Sequence, residues 1–148
     1  MGLRRFIVTP TITAGAYAAN DVIGATLTFP GIVEGDLHAV IITDAAAQTT
    51  SYHLYLLHSV PTDIADNAVW DLADADISKV IHRAFLDSGN GYIPTDNKIN
   101  IREYGVDERR RLRSGERSGH IYGFLVCTGT PTYAATTDLT IILEVDVL

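Results

Sequence analysis

At 148 residues the chain predicts a single domain over residues 1–148, with no room in it for a second catalytic one. Hydrophobic residues make up 47% and charged residues 20%, the composition of an ordinary globular protein. Eleven Lys and Arg against eighteen Asp and Glu give a net charge of -7, which argues against a dedicated nucleic-acid binder. The single cysteine, Cys127, excludes an internal disulfide and leaves a structural zinc site without a ligand set.

From the N-terminus, Met1-Gly2-Leu3-Arg4-Arg5 starts like a secretion signal, but the apolar run after it is only Phe6-Ile7-Val8 before Thr9-Pro10. An h-region needs about 7–15 apolar residues, so the expectation is a retained N-terminus. Period-2 patterns then dominate. Residues 22–29 place Ile23, Ala25, Leu27 and Phe29 on one face, as in a half-buried strand. Strands are likewise predicted over 3–9, 37–43 with Leu37, Ala39 and Ile41 inward, 51–58, 80–86, 97–102, 120–128 and 138–147. Turn clusters separate them, among them Pro30-Gly31, Ser88-Gly89-Asn90-Gly91, Ser114-Gly115 and Gly129-Thr130-Pro131. Residues 63–81 predict a short helical insertion crossing one end of the molecule, with Asp74 and Asp76 near its N-terminus. About eight short strands without a βαβ rhythm predict an all-β antiparallel sandwich, read as an eight-stranded jelly roll, with a Greek-key sandwich of another order as the alternative. The longest apolar run, Ile121 to Cys127, is too short for a membrane helix, which needs about 18 residues or more.

Candidate chemical motifs are few. Phe85-Leu86-Asp87-Ser88-Gly89 matches the Asp-Ser/Thr-Gly signature of retroviral-type aspartic proteases, but the Gly-Arg or Gly-Asn element that completes that site is missing, and a hairpin turn explains the residues. His38, His53, His58, His82 and His120 contain no His-x-His pair, and His53 and His58 would face opposite ways on one strand, so no metal site is expected. Asp71, Asp74 and Asp76 fail as a calcium loop, since Lys79 and Phe85 stand where Gly and Glu belong. Cys127, in an apolar run, reads as a buried thiol and not a nucleophile. There is no Gly-x-Ser-x-Gly elbow, phosphate loop or dinucleotide fingerprint. These residues predict neither catalysis nor a cofactor.

One stretch is unexplained by core packing. Residues 102–117 hold six of the eleven cations against four acids, a local balance of +2 that leaves -9 elsewhere. It predicts an arginine-rich loop, read either as a solvated turn or as an arm that binds an acidic partner through bidentate Arg–carboxylate pairs. The candidate partner-binding residues are Arg109, Arg110, Arg111, Arg113 and Arg117, with Arg4 and Arg5 at the N-terminus.

The ordered combination Thr11-Ile12-Thr13-Ala14-Gly15-Ala16-Tyr17, Asn20-Asp21-Val22-Ile23-Gly24, Leu54-Tyr55-Leu56-Leu57 and Pro61-Thr62 resembles a group of small tailed-bacteriophage virion proteins. The likeness continues through Asp66-Asn67-Ala68, Leu72-Ala73-Asp74-Ala75-Asp76-Ile77-Ser78-Lys79-Val80, Tyr122-Gly123, Gly129-Thr130-Pro131-Thr132-Tyr133-Ala134 and Thr137-Asp138-Leu139-Thr140, covering most of the chain and departing at 105–117. It implies a jelly-roll body and a structural role as a capsid decoration, or cement, protein. Such a protein would bind the major capsid protein on the outer surface of the assembled head, after a period in the host cytoplasm, with no nucleic-acid or membrane partner. The alternative is a tail, baseplate or fibre protein that binds a receptor or carbohydrate. Apolar residues on both faces of Ile121 to Cys127 and Leu139 to Leu148 further predict a homotrimer.

Overall fold

The computed structural model describes residues 2–91, 97–116 and 119–148. Its strands are β1 (Gly2–Val8), β2 (Val22–Pro30), β3 (Glu34–Asp44), β4 (Tyr52–Leu57), β5 (Val80–Leu86), β6 (Lys98–Glu103), β7 (Arg110–Arg113), β8 (His120–Cys127) and β9 (Leu139–Val147). All pairings are antiparallel. One sheet has the order β1-β9-β3-β6, with β7 also on β3, and the other has the order β2-β8-β4-β5. The molecule is therefore an all-β antiparallel sandwich, and its main core lies between the sheets. Phe29, Leu54, Leu56, Leu125, Ile141 and Leu143 are fully buried there.

Two bulges correct the simple alternation. In β3 the register with β9 slips between Leu37 and Ala39, which leaves His38 as the extra residue and reverses the phase beyond it. Leu37, Val40 and Ile42 consequently join the core, while the outward row carries Ala39 and Ile41, contrary to the expectation from strict period 2. In β2 the register with β8 shifts between Ile23 and Leu27. Gly24 takes a φ of +84° there, and a Cβ on it would lie 2.6 Å from the Pro10 side chain, so both conformation and space call for glycine. Ala25, expected inward, has a φ of +55° and is only half-buried.

The segment predicted to be helical is mostly extended. Only Asp74–Lys79 forms a helix, of the 3₁₀ type, and residues 58–79 run as a strap across the outer face of the four-stranded sheet, not across one end. Trp70 stacks on Tyr55 at 4.4 Å between ring centroids and tilts against Phe124 at 5.4 Å. Ile64, Leu72 and Trp70 cover Val22, Leu57, Tyr122, Phe124 and Val126 to form a second, smaller core. The donors released by the β2 bulge hold the strap: Asp66 accepts from the Gly24 N–H at 2.7 Å, the Tyr17 hydroxyl at 2.7 Å and the Thr13 hydroxyl at 2.6 Å, and Asp63 accepts from the Thr26 N–H at 3.0 Å. At the strap's far end, buried Asp76 accepts from Lys79 Nζ at 2.7 Å and the Thr62 N–H at 2.8 Å, and these bonds hold its carboxyl below the usual range.

The arginine-rich stretch is not a loop. It comprises the end of β6, a 3₁₀ turn at Val106–Glu108 and the strand β7, whose Leu112 is fully buried against the core opposite Gly35. Four residues with one apolar side chain carry almost no periodic signal; pairing with the long strand β3 makes them a strand.

Two stability predictions follow from this arrangement. Leu112→Ala should cost about 2–5 kcal/mol in urea unfolding, as a buried leucine does, whereas Arg113→Ser on the exposed face should stay within about 0.5 kcal/mol. Asp66→Ala should cost about 2 kcal/mol by leaving three donors without their acceptor, and it should release the Trp70 fluorescence from its buried environment before global unfolding.

Candidate functional site

The structure separates the seven arginines singled out from the sequence. Arg4 and Arg5 lie on β1, the sheet edge opposite β6 and β7, where Arg5 Nε donates to Glu144 at 3.0 Å. Arg111 and Arg113 project from the outward face of β7. Arg111 is held by Asp36 at 2.7 Å and Glu34 at 3.1 Å, so it fastens β7 to β3 and has little left for a partner. Those two carboxylates raise the affinity of its guanidinium for its proton. Arg117 lies outside the described residues. Only Arg109 and Arg110 enter a concave site.

That site is a groove of about 630 Å³ along β5 and β6, the terminal strands of the two sheets on the same side of the sandwich. Its walls carry His82, Arg83 and Phe85 from β5 and Ile101 and Arg102 from β6, and the turn between β6 and β7 forms its lip with Tyr104, Asp107, Glu108, Arg109 and Arg110. Strand alternation sets the positions. His82 shares the inward row with the core residues Ala84 and Leu86, but at the end where the sheets part. Arg110 shares the inward row of Leu112 and so turns toward His82 rather than toward Asp36.

His82 Nε2 lies 2.6 Å from the Tyr104 hydroxyl, and the Arg102 guanidinium sits 5.2 Å from the centre of the Tyr104 ring. Tyr104 is itself fixed by its N–H, which donates to the His38 carbonyl at 2.9 Å. Burial, and then Arg110, Arg102 and Arg83, pull the His82 pKa down to about 4. His82 is therefore a neutral imidazole at pH 7, in a field to which three guanidiniums contribute. Among the described residues none of Arg83, Arg102, Arg109 and Arg110 has a carboxylate oxygen within 4.0 Å, although Asp87, Asp107 and Glu108 line the same groove. Arg109 Nε is buried with no hydrogen-bond acceptor. The groove thus offers guanidinium donors to an anionic group that the described residues do not supply within ion-pair distance.

Sequence reasoning missed Arg83, Arg102, His82 and Tyr104 as site residues. Arg102 lay within the basic stretch, but nothing local connects residues 82–83 with 102–110; the edge-to-edge stacking of the sheets does.

The other motifs resolve into structural roles. Asp87 accepts from the Gly89 N–H at 2.9 Å and caps a 3₁₀ turn, but the turn closes no hairpin, because β5 and β6 belong to different sheets. Cys127 is buried, and burial pushes its thiol upward, away from the thiolate a nucleophile needs. Tyr52 and Tyr133 bury their rings and meet through their hydroxyls at 2.6 Å. Among the described residues no group of three or more His, Cys, Asp or Glu could hold a metal ion, and no helix is long and apolar enough to cross a membrane. No protein-family model matches the chain, and no curated protein matches it.

The field around His82 has a pH signature. Its folded pKa of about 4 lies below the ordinary 6.5, so the unfolded chain takes up a proton that the native state refuses. Stability contributed at this position is therefore present above about pH 6.5 and is withdrawn as pH falls toward 4. Urea midpoints measured across this window should fall more steeply for the wild type than for His82→Gln, and below about pH 4 the two slopes should converge.

Proposed function

We propose that the protein is a non-enzymatic structural component of a tailed-phage virion, a decoration protein that docks on the outer surface of the assembled head and stabilises it. The observation that carries this reading is the ordered resemblance from Thr11 to Thr140, which covers both cores and the strap. Three structural features support it. The strand orders β1-β9-β3-β6 and β2-β8-β4-β5, with most successive strands changing sheet, are compatible with a jelly-roll wrap. Asp76 of the former calcium motif anchors the strap, and Asp87 of the former protease motif caps a turn. Guanidiniums that have no carboxylate partner among the described residues gather at one edge of a protein with net charge -7, an arrangement suited to docking on carboxylates of the major capsid protein.

The homotrimer in this proposal needs a surface other than β8, because both faces of that strand are buried within the chain. The β1 edge of the five-stranded sheet offers one, because farther along the outer face Ile41 and Ile142 are already buried within the chain. Ile7 and Leu3, at the β1 edge, are 60% and 56% exposed.

Copy number on purified particles tests the reading. Mass-calibrated gels should show on the order of hundreds of copies per particle, as symmetric decoration of a head demands. A handful of copies, or recovery with the tail fraction, would replace it with a tail, baseplate or fibre role.

A further inference from the structure

We propose that the groove between β5 and β6 is a docking site for an extended acidic segment of a protein partner, whose carboxylates seat against Arg83, Arg102, Arg109 and Arg110. The inference stands on the geometry of the groove and does not depend on the virion reading.

Shape is the first ground. Both walls are terminal strands, so each presents backbone donors and acceptors that no neighbouring strand takes up among the described residues. A cleft bounded by two free strand edges fits an extended chain, which can add backbone hydrogen bonds as peptides do at sheet edges. Its volume of about 630 Å³ lies within the common range of ligand sites, about 300–1,000 Å³.

Charge is the second ground. Arg111 shows how this chain satisfies an arginine that serves structure, with two carboxylates at 2.7 and 3.1 Å. Among the described residues the groove arginines have no such partners, and Arg109 leaves a buried Nε–H with no acceptor there. The cost of an unsatisfied buried donor is relieved when a ligand brings the acceptor. Tyr104, held by backbone and by His82, keeps Arg102 over its ring and so presents a pre-positioned guanidinium fork.

Asp87, Asp107 and Glu108 decide the class of partner. A nucleic-acid strand carries a charge at every phosphate and would meet these carboxylates as well as the arginines. A peptide can space its carboxylates, placing them on the guanidiniums and neutral residues beside the acids. Mixed sign in the groove therefore selects register as well as charge.

The test uses the full chain and a fluorescein-labelled peptide of alternating Glu and Thr, matched to the seven residues of β5. Fluorescence polarisation at low salt should show saturable binding. The double variant Arg102→Gln/Arg110→Gln should weaken it about tenfold, a change of about 1.4 kcal/mol. Arg4→Gln, on the opposite sheet edge, should leave it unchanged. Arg83→Gln is a second single variant at an exposed position, and it should weaken binding even if the double variant does not fold. In NMR the His82 resonance should titrate at higher pH with peptide bound, because a carboxylate placed among the guanidiniums favours the imidazolium. Equal loss in Arg4→Gln would overturn the site by showing diffuse attraction. Tighter binding of oligothymidylate of equal charge would overturn the peptide assignment. Absence of binding by the wild type, together with aggregation of the double variant, would show that the arginines only keep strand edges of neighbouring molecules apart. None of these outcomes alters the copy-number result, so the two proposals fail separately.

Discussion

A sandwich of two open sheets has terminal strands, and each exposes a row of backbone groups that another chain can pair with. Most features of this protein are ways of dealing with that constraint. At β2 the solution is coverage: the strap bridges Asp21 to Val69, exchanges backbone hydrogen bonds with Val22, and brings Asp63 and Asp66 to the donors freed by the bulge. The same strap lays Trp70 and Leu72 over the outward face of β8, so one segment closes an edge and builds a second core. At β5 and β6 coverage is absent among the described residues, and charged side chains stand along the edge instead.

The distribution of arginine follows from this division. Arg5 and Arg111 sit opposite carboxylates on adjacent strands and help hold β1 and β7 to their sheet. Both pairs are substantially exposed, so their contribution is modest, and the register of β7 depends more on Leu112 in the core. The groove arginines are of a different kind, because they face an imidazole and a phenol instead of a carboxylate. Burial, reinforced by the surrounding cations, keeps His82 neutral, and a group that sheds its charge in this way avoids a buried repulsion.

The same reasoning separates structural from interactive surface. Apolar residues on both faces of β8 look like spare interface when read along one strand, yet each face is used internally, Leu125 and Cys127 in the main core and Phe124 and Val126 under the strap. Spare apolar surface lies instead at Leu3 and Ile7 of β1. The polar counterpart is the β5–β6 groove.

The sequence by itself determined the class of fold and nearly all of its strands. Alternation over 22–29, 80–86 and 138–147 reproduces β2, β5 and β9 to within a residue or so, because a strand half-buried against one core writes its period directly into the chain. It failed where a residue's environment comes from distant segments. The bulge at His38 reversed the inward row of β3, since register is set by the partner strand and not by local pattern. Arg110–Arg113 read as a loop because one leucine among arginines has no period; only the length of β3 left room for two short partners side by side. Residues 63–81 read as helical, but packing of the partly buried Trp70 and Leu72 on the sheet draws most of the segment out straight. The candidate site belongs wholly to this second category. Tertiary structure alone decided it, because His82 and Arg83 meet Arg102, Tyr104 and Arg110 only after two sheets have stacked edge to edge, and that contact has no trace in the spacing of any one segment.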